Sequence, residues 1–205
     1  PIPKSQVPMI EKFVFTSPGP RVLFGRGAIA GVEKELAFHR ITRSFILCSA
    51  SGMALAARIV ASLPAQQIEV LRLSSEGITR EDFERATAHA KAVGASGFIA
   101  IGGGTPIGMG KSVAANTGLP WLGVPTTYSG SEMASNWTYG KGKDAKNGSS
   151  LAALPTTAIY DPDLTLGLPA ITSGQSGMNA MAHALESLYG ADRSPVVETQ
   201  AEEAV

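Results

Sequence analysis

The chain of 205 residues carries 17 basic and 17 acidic side chains, so its formal net charge is zero, which argues against a nucleic-acid partner or an anionic membrane surface. Its apolar runs are too short to span a membrane, it opens on no signal-peptide pattern, and its one cysteine, Cys48, excludes a disulfide framework and favours a reducing, cytoplasmic setting. With 44% hydrophobic and 17% charged residues, the chain has the composition of a globular protein of one large domain, or of one domain and part of another.

Predicted strands and helices alternate along most of the chain. The strands are apolar runs with few charges, at residues 13–15, 21–25, 44–48, 68–73, 98–101, 121–124 and 157–160. Helical spacing lies between them, at residues 27–38 and 52–63, after the N-cap pattern at Thr79, and from Thr105 to about Asn116. This alternation predicts an α/β fold in which helices cover both faces of a parallel sheet. Ligands bind beyond the carboxyl ends of the strands in such sheets, so the candidate site comprises residues 48–51, 102–105 and 125–132.

Three consecutive glycines, Gly102 to Gly104, follow the strand at 98–101. Thr105 and Pro106 then begin a helix-compatible stretch. Glycines let the backbone approach a ligand closely, and the N-terminus of a helix offers free N–H groups, so we predict a phosphate or pyrophosphate here, with a plain strand-to-helix turn as the alternative. The loop matches neither the G-x-G-x-x-G pattern, which needs glycine where Ile107 stands, nor the P-loop pattern, which needs glycine where Thr105 stands.

The C-terminal part of the chain changes in character. Residues 139–150 are rich in Gly, Lys, Asn and Ser, which predicts a loop or hairpin over the site. Helical spacing returns at residues 171–189, and another helix begins at Pro195. We therefore predict a nucleotide-binding α/β domain at residues 1–168, followed at residues 169–205 by the beginning of a helical domain in which the sequence stops.

Four stretches together carry a resemblance to a known family. They are GGGTPIGMGK at 102–111, VPTTYSGSEM at 124–133, IYDPDLT at 159–165 and SGMNAMAHALE at 176–186. In this order and at these separations, they resemble the iron-containing (group III) alcohol dehydrogenase superfamily, and within it the maleylacetate reductases. The resemblance covers nearly the whole chain. It implies a dehydroquinate synthase-like fold, with a Rossmann-like nucleotide-binding domain, an all-α domain and the active site in the cleft between them.

The resemblance also implies that the chain binds NAD(P)H. The implied cofactor-binding residues are Gly102, Gly103, Gly104 and Thr105 at the pyrophosphate, together with Thr126, Thr127, Ser129, Ser49 and Lys146. The hydroxyls of Thr126, Thr127 and Ser129 can donate to ribose or phosphate oxygens, although a Ser/Thr-rich turn is the alternative. Lys146 matches a family lysine near the nicotinamide ribose, with a solvated lysine as the alternative. NAD-selective members often carry Asp where this chain has Ser49 and its neighbours, so we expect both NADH and NADPH to be accepted.

Two residues of the last motif, Asn179 and His183, bear on the subfamily. The metal-dependent members carry an Asp and a His ligand at these positions, and the spacing of four residues puts both side chains on one helix face. An amide is a poorer ligand for a hard cation than a carboxylate. The maleylacetate reductases are similar in carrying Asn here and in working without a metal. Gly108, where metal-dependent members usually carry Asp, agrees. We therefore expect no metal, and His183 as a ligand if one is bound.

The implied activity is the NAD(P)H-dependent reduction of the carbon–carbon double bond of maleylacetate, an unsaturated keto acid, to 3-oxoadipate, by a homodimer that acts in the degradation of aromatic compounds. The implied catalytic residues are His183 and Asn179, and His183 positions or protonates the substrate unless it is a buried structural histidine. Three other functions stay open: a metal-dependent alcohol or polyol dehydrogenase, a non-catalytic nucleotide-binding module and, more distantly, a P-loop ATPase. The family is considerably longer than this chain and has further histidines in its helical domain.

Overall fold

The computed structural model describes residues 13–17, 19–63, 68–74, 77–190 and 194–205. Its strands are β1 (Arg21–Phe24), β2 (Phe45–Cys48), β3 (Glu69–Arg72), β4 (Phe98–Gly102), β5 (Trp121–Pro125), β6 (Asn136–Tyr139), β7 (Lys146–Ser149) and β8 (Thr157–Tyr160). Its helices are α1 (Val32–Phe38), α2 (Met53–Ser62), α3 (Arg80–Ala92), α4 (Gly104–Thr117), α5 (Ala170–Ser187) and α6 (Pro195–Ala204). Six strands form a parallel sheet, and β6 and β7 form an antiparallel hairpin, which confirms the predicted α/β fold and the hairpin.

The order of the strands in the sheet creates a crevice at its carboxyl edge. That order is β1-β8-β5-β4-β2-β3, so the chain reverses its direction across the sheet between β2 and β4. These two strands are neighbours, with Cys48 opposite Ile101. The helices that follow them lie on opposite faces, because Ala56 of α2 belongs to one buried cluster and Ile107 of α4 to the other. Such a reversal is where open α/β sheets bind ligands.

The central strands are apolar throughout because both of their faces are covered. In β4, Ile99 and Ile101 belong to the cluster that contains α1 and α2. Phe98 and Ala100 belong to the cluster that contains α3 and α4. All four side chains are fully buried, and each large one contributes roughly 1.5–3 kcal/mol of transfer free energy. This burial holds the carboxyl end of β4, and the glycines that follow it, in a fixed place.

The prediction of a strand at residues 13–15 is wrong. These residues pair with no described strand, and Val14 is 95% exposed. Apolar and aromatic residues favour a strand only where a neighbouring strand satisfies their backbone groups. The helix predicted at residues 27–38 is also shorter than expected, because a 3-10 turn at Ala28–Gly31 precedes α1.

The remaining elements lie close to their predicted positions. Thr79 caps α3 as expected, since its Oγ1 accepts a hydrogen bond from the backbone N–H of Asp82 at 3.2 Å. After β8, α5 begins at Ala170 and α6 at Pro195, while the domain boundary at residues 168/169 stays a prediction. None of the helices in the described ranges is both long enough and apolar enough to cross a membrane.

Candidate nucleotide-binding site

The three glycines between β4 and α4 have different roles. Gly102 has a φ of 141°, and a Cβ added there would lie 2.7 Å from Cγ of Pro106. A Cβ added at Gly103 would lie 3.0 Å from Cγ2 of Thr127. At Gly104, by contrast, an added Cβ would meet no described atom within 4 Å. The fold therefore requires glycine at position 102 and leaves little room for a side chain at position 103, while the third glycine leaves open space beside the backbone.

The N-terminus of α4 faces this open space. The first four N–H groups of an α-helix have no partner within the helix, and the aligned peptide dipoles give this end a partial positive charge. The 14 residues of α4 contribute to that dipole, and the first turn, which contains Thr105, carries no acidic side chain. This arrangement fits a phosphate or a pyrophosphate.

The segment that follows β5 lies against the glycine turn. The N–H of Thr126 donates to the carbonyl of Gly102 at 3.0 Å, and Thr127 packs on Gly103. Ser129 follows closely, and its Oγ is buried without a hydrogen-bond partner among the described residues. A buried hydroxyl without a partner costs stability unless it is satisfied, so Ser129 fits a ligand oxygen at this edge of the sheet.

Ser49 lies at the same edge, directly after β2, and its Oγ is 2.9 Å from Oγ of Ser51. The structure thus brings the predicted cofactor residues after β2, β4 and β5 to one edge of the sheet, while their roles in binding stay predictions. Lys146 lies apart from them. It is an exposed residue of β7 and is absent from the walls of the cleft described next, which agrees with the alternative of a solvated lysine.

A cleft of about 520 Å³ separates α4 from the hairpin. Its walls are Ile78, Gly104, Gly108, Lys111, Ser131, Asn136, Trp137, Thr138, Asn147 and Gly148. The cleft begins at the third glycine of the turn, so it continues the predicted phosphate site along α4. Gly108 is packed closely here, because an added Cβ would collide with Cδ1 of Ile78.

Lys111 is a residue of this cleft that the sequence did not assign to the site. It is 3% exposed, and its Nζ donates to the carbonyl of Ser131 at 2.8 Å and to Oδ1 of Asn136 at 3.1 Å. Burial lowers the pKa of Lys111, and the negative charge of Glu132 partly offsets this effect. Lys111 therefore ties α4 to the segment after β5 and to the hairpin. A lysine within a helix of small and apolar residues was the signal in the sequence.

Glu132 connects this lysine to the sheet. Its side chain is buried, and Oε1 accepts a hydrogen bond of 2.6 Å from the hydroxyl of Tyr160, at the end of β8. The other oxygen, Oε2, has no hydrogen-bond partner among the described residues. Burial, and then the hydrogen bond and charge of Glu132, raise the pKa of Tyr160 well above its ordinary value. A carboxylate, a phenol and an ammonium group thus form one buried polar cluster under the cleft.

The raised pKa of Tyr160 predicts a loss of stability at alkaline pH. Above pH 10.0, the ordinary value, the unfolded chain loses the phenolic proton while the folded chain keeps it, so the free energy of unfolding falls as the pH rises. Tyr160→Phe should flatten this dependence in urea unfolding measured at a series of pH values on both sides of 10.0. Tyr189→Phe is the matched control, since Tyr189 is 72% exposed, and it should keep the wild-type slope. A wild-type slope in Tyr160→Phe would contradict the assignment.

The face of α5 that bears Asn179 and His183 is directed towards the segment after β5. Oγ of Ser176 accepts a hydrogen bond from the N–H of Tyr128 at 2.8 Å. Hydrogen bonds of Thr165 and then of Ser173 lower the pKa of Tyr128. Because Ser176, Asn179 and His183 are spaced by three and four residues, they share one helix face.

His183 is solvent-accessible in the part of the chain that the structure describes, and its catalytic role stays a prediction. Its side chain is 64% exposed, and its Nδ1 lies 3.3 Å from Oε2 of Glu186. The donors present do not form an iron or zinc site by themselves: Asn179 offers a neutral amide, and the described ranges contain no group of three His, Cys, Asp or Glu side chains arranged to hold a metal.

Comparisons with known proteins agree with this architecture. The family model described as iron-containing alcohol dehydrogenase matches residues 19–162. The maleylacetate reductase of Burkholderia cepacia is 39% identical over 196 residues, which are 96% of this chain and 56% of that protein. The chain thus spans about half the length of the curated relatives it matches.

Solved structures show the same fold. The maleylacetate reductase of Rhizobium sp. strain MTP-10005 superposes with a TM-score of 0.87 at 34% identity, covering 94% of this chain and 55% of that one. The sulfoacetaldehyde reductase of Bifidobacterium kashiwanohense, solved in complex with NAD+, superposes with a TM-score of 0.83 at 19% identity, covering 93% and 57%; at this identity the likeness concerns the fold alone.

Proposed function

Because the chain belongs to the iron-containing alcohol dehydrogenase family, we propose that it carries out the NAD(P)H-dependent reduction of maleylacetate to 3-oxoadipate. The observation that carries this proposal is the meeting of two features at one edge of the sheet. The open glycine turn at the N-terminus of α4 is one, and the face of α5 that presents Asn179 and His183 is the other. The relatives named maleylacetate reductase support the choice of substrate.

The residues at the glycine turn fit the cofactor. Gly102 to Thr105 would hold the pyrophosphate of the cofactor at the N-terminus of α4. The buried hydroxyl of Ser129 would donate a hydrogen bond to an oxygen of the cofactor. When bound, NAD(P)H supplies the hydride that a double bond conjugated to a ketone accepts.

Asn179 and His183 would stabilise the negative charge that develops on the substrate and supply the proton that the reduction requires. Nδ1 of His183 lies 3.3 Å from Oε2 of Glu186, so Nε2 is the ring nitrogen left for the substrate. In the protonated ring, Nε2 can deliver a proton. The amide N–H of Asn179, on the same helix face, can donate a hydrogen bond to an oxygen that gains negative charge during the reduction.

Metal independence is part of the proposal. It is supported by Asn179, whose neutral amide stands where a carboxylate would bind a hard cation more tightly. The alternative is a metal-dependent alcohol dehydrogenase. The family name and the presence of His183, which is able to ligate a metal, favour that alternative.

The test supplies the chain with NADH or NADPH and maleylacetate, and measures cofactor oxidation together with the product. We expect one 3-oxoadipate for each cofactor oxidised. His183→Gln should lower kcat by about a hundredfold or more, in the range of a lost general acid. His89→Gln is the control, because His89 lies beside Glu69 and Phe45, at the opposite edge of the sheet. Oxidation of alcohols without reduction of maleylacetate would favour the alternative, and a chain that binds the cofactor but turns over neither substrate would be a nucleotide-binding module.

We propose further that the protein is a cytoplasmic homodimer without a nucleic-acid partner. The zero net charge supports the last point. The dimer is supported by apolar side chains at the edge of the sheet, where Val22 and Phe24 of β1 are 49% and 74% exposed. Light scattering would measure the oligomeric state.

A further inference from the structure

The carboxyl edge of the sheet runs from the predicted phosphate site after β4, past the end of β2, to the end of β3. In sheets of this kind, the adenosine half of a dinucleotide lies along the end of the strand next to the phosphate-binding strand. Here that strand is β2, and β3 lies on its far side. A carboxylate at this place accepts a hydrogen bond from the ribose 2′-hydroxyl, whereas an arginine accommodates a 2′-phosphate. The side chains after β2 and β3 therefore bear on the choice between NADH and NADPH.

The residues after β2 are hydroxylic and carry no negative charge. Ser49 and Ser51 follow the strand, with their Oγ atoms 2.9 Å apart. Neither the 3-10 turn Ala50–Gly52 nor the first turn of α2 contains an acidic side chain. Two hydroxyl groups can each donate a hydrogen bond to a phosphate oxygen, and nothing on this segment repels one.

Arg72 supplies the positive charge. It is the last residue of β3 and lies opposite Cys48 in the parallel register, so both side chains extend to the same face of the sheet, the face that α2 covers. The guanidinium is close enough to Cys48 for its charge to lower the pKa of the thiol, against the larger effect of burial, which raises it.

The side chain of Arg72 is exposed at the end of β3. Among the described residues, no carboxylate forms an ion pair with it, and the nearby Asp82 of α3 pairs with Arg85 at 2.7 Å. Arg85 also donates to the backbone carbonyl of Arg72, which fixes the end of β3, while the side chain of Arg72 stays exposed.

We propose that Arg72, together with Ser49 and Ser51, recognises the 2′-phosphate of NADPH, so that the chain accepts both cofactors but binds NADPH more tightly. The inference rests on the NAD(P)H site proposed above and adds its specificity. A guanidinium and a phosphate pair through two parallel hydrogen bonds, which is the arrangement that distinguishes NADPH from NADH.

The test measures the Kd of NADPH and of NADH for the chain by calorimetry. We expect NADPH to bind about tenfold more tightly at low ionic strength, and the preference to shrink as salt screens the pair. Arg72→Gln should raise the Kd of NADPH to that of NADH and leave the Kd of NADH unchanged. Arg58→Gln is the matched control, because Arg58 is an exposed arginine of α2 and its loss removes the same charge. Ser49→Asp should raise the Kd of NADPH more than the Kd of NADH. This variant tests the same preference if Arg72→Gln fails to fold.

The outcomes separate the two proposals. Equal affinities for NADPH and NADH in the wild type, or an Arg72→Gln variant that weakens both cofactors equally, would overturn the role of Arg72 and leave the cofactor site standing. Binding of neither cofactor would overturn the site and, with it, the specificity.

Discussion

Gly104→Val should abolish tight NAD(P)H binding while leaving the fold intact. A Cβ at this position meets no described atom within 4 Å, so the valine methyl groups extend into the open space beside the N-terminus of α4. If the pyrophosphate lies there, it loses its close approach to the backbone, and we expect its Kd to rise by about a hundredfold, which corresponds to roughly 2.7 kcal/mol. The free energy of unfolding should change by less than about 1 kcal/mol, because valine is no worse than glycine in a helix.

Two other glycines serve as controls for this experiment. Gly102→Ala should lower the free energy of unfolding as well, by about 1–3 kcal/mol, because a φ of 141° and the contact with Pro106 leave no room for a Cβ. Gly19→Val should change neither quantity, because Gly19 also has open space around it but precedes β1, at the other edge of the sheet. A Gly104→Val variant that binds NADPH with wild-type affinity would mean that the nucleotide binds elsewhere.

Lys111→Met should cause the largest loss of stability. The substitution keeps most of the apolar stem but removes the donor to Ser131 and Asn136, and it leaves Glu132 buried without its nearby cation. We expect the free energy of unfolding to fall by about 3 kcal/mol, the size typical of an uncompensated buried charge. Urea unfolding monitored by circular dichroism would measure it.

Lys146→Met is the matched control, because Lys146 is a lysine of the hairpin but is exposed, and it should change stability by less than about 0.5 kcal/mol. Adding Glu132→Gln to Lys111→Met should restore part of the loss, because the buried charge is then removed as well. A loss below about 1 kcal/mol in Lys111→Met would contradict the role assigned to the cluster.

The sequence predicted those parts of the fold that depend on local pattern. β2, β4 and β5 are fully buried, so their apolar runs identified them. The three glycines predicted the turn between β4 and α4, which is confirmed, while the phosphate site at this turn stays a prediction. The prediction of a strand at residues 13–15 was wrong for a related reason. The local pattern is that of a strand, but a strand forms only where a neighbouring strand can pair with it.

The polar cluster under the cleft could not be predicted from the sequence. Lys111 meets Asn136 from 25 positions away, and Glu132 meets Tyr160 from 28 positions away, and no local spacing encodes such contacts. The face of α5 is an intermediate case. The spacing of Asn179 and His183 showed that they share a face, but only the hydrogen bond between Ser176 and Tyr128 shows which way that face is directed.

The most direct test of the proposed activity is the rate of NAD(P)H oxidation by the chain with maleylacetate, measured with and without a strong chelator. We predict that 3-oxoadipate forms at the same rate in both, because in the proposed reaction the amide of Asn179 and the imidazole of His183 would act without a metal. A rate that the chelator abolishes and that added iron or zinc restores would contradict the account and favour a metal-dependent alcohol dehydrogenase.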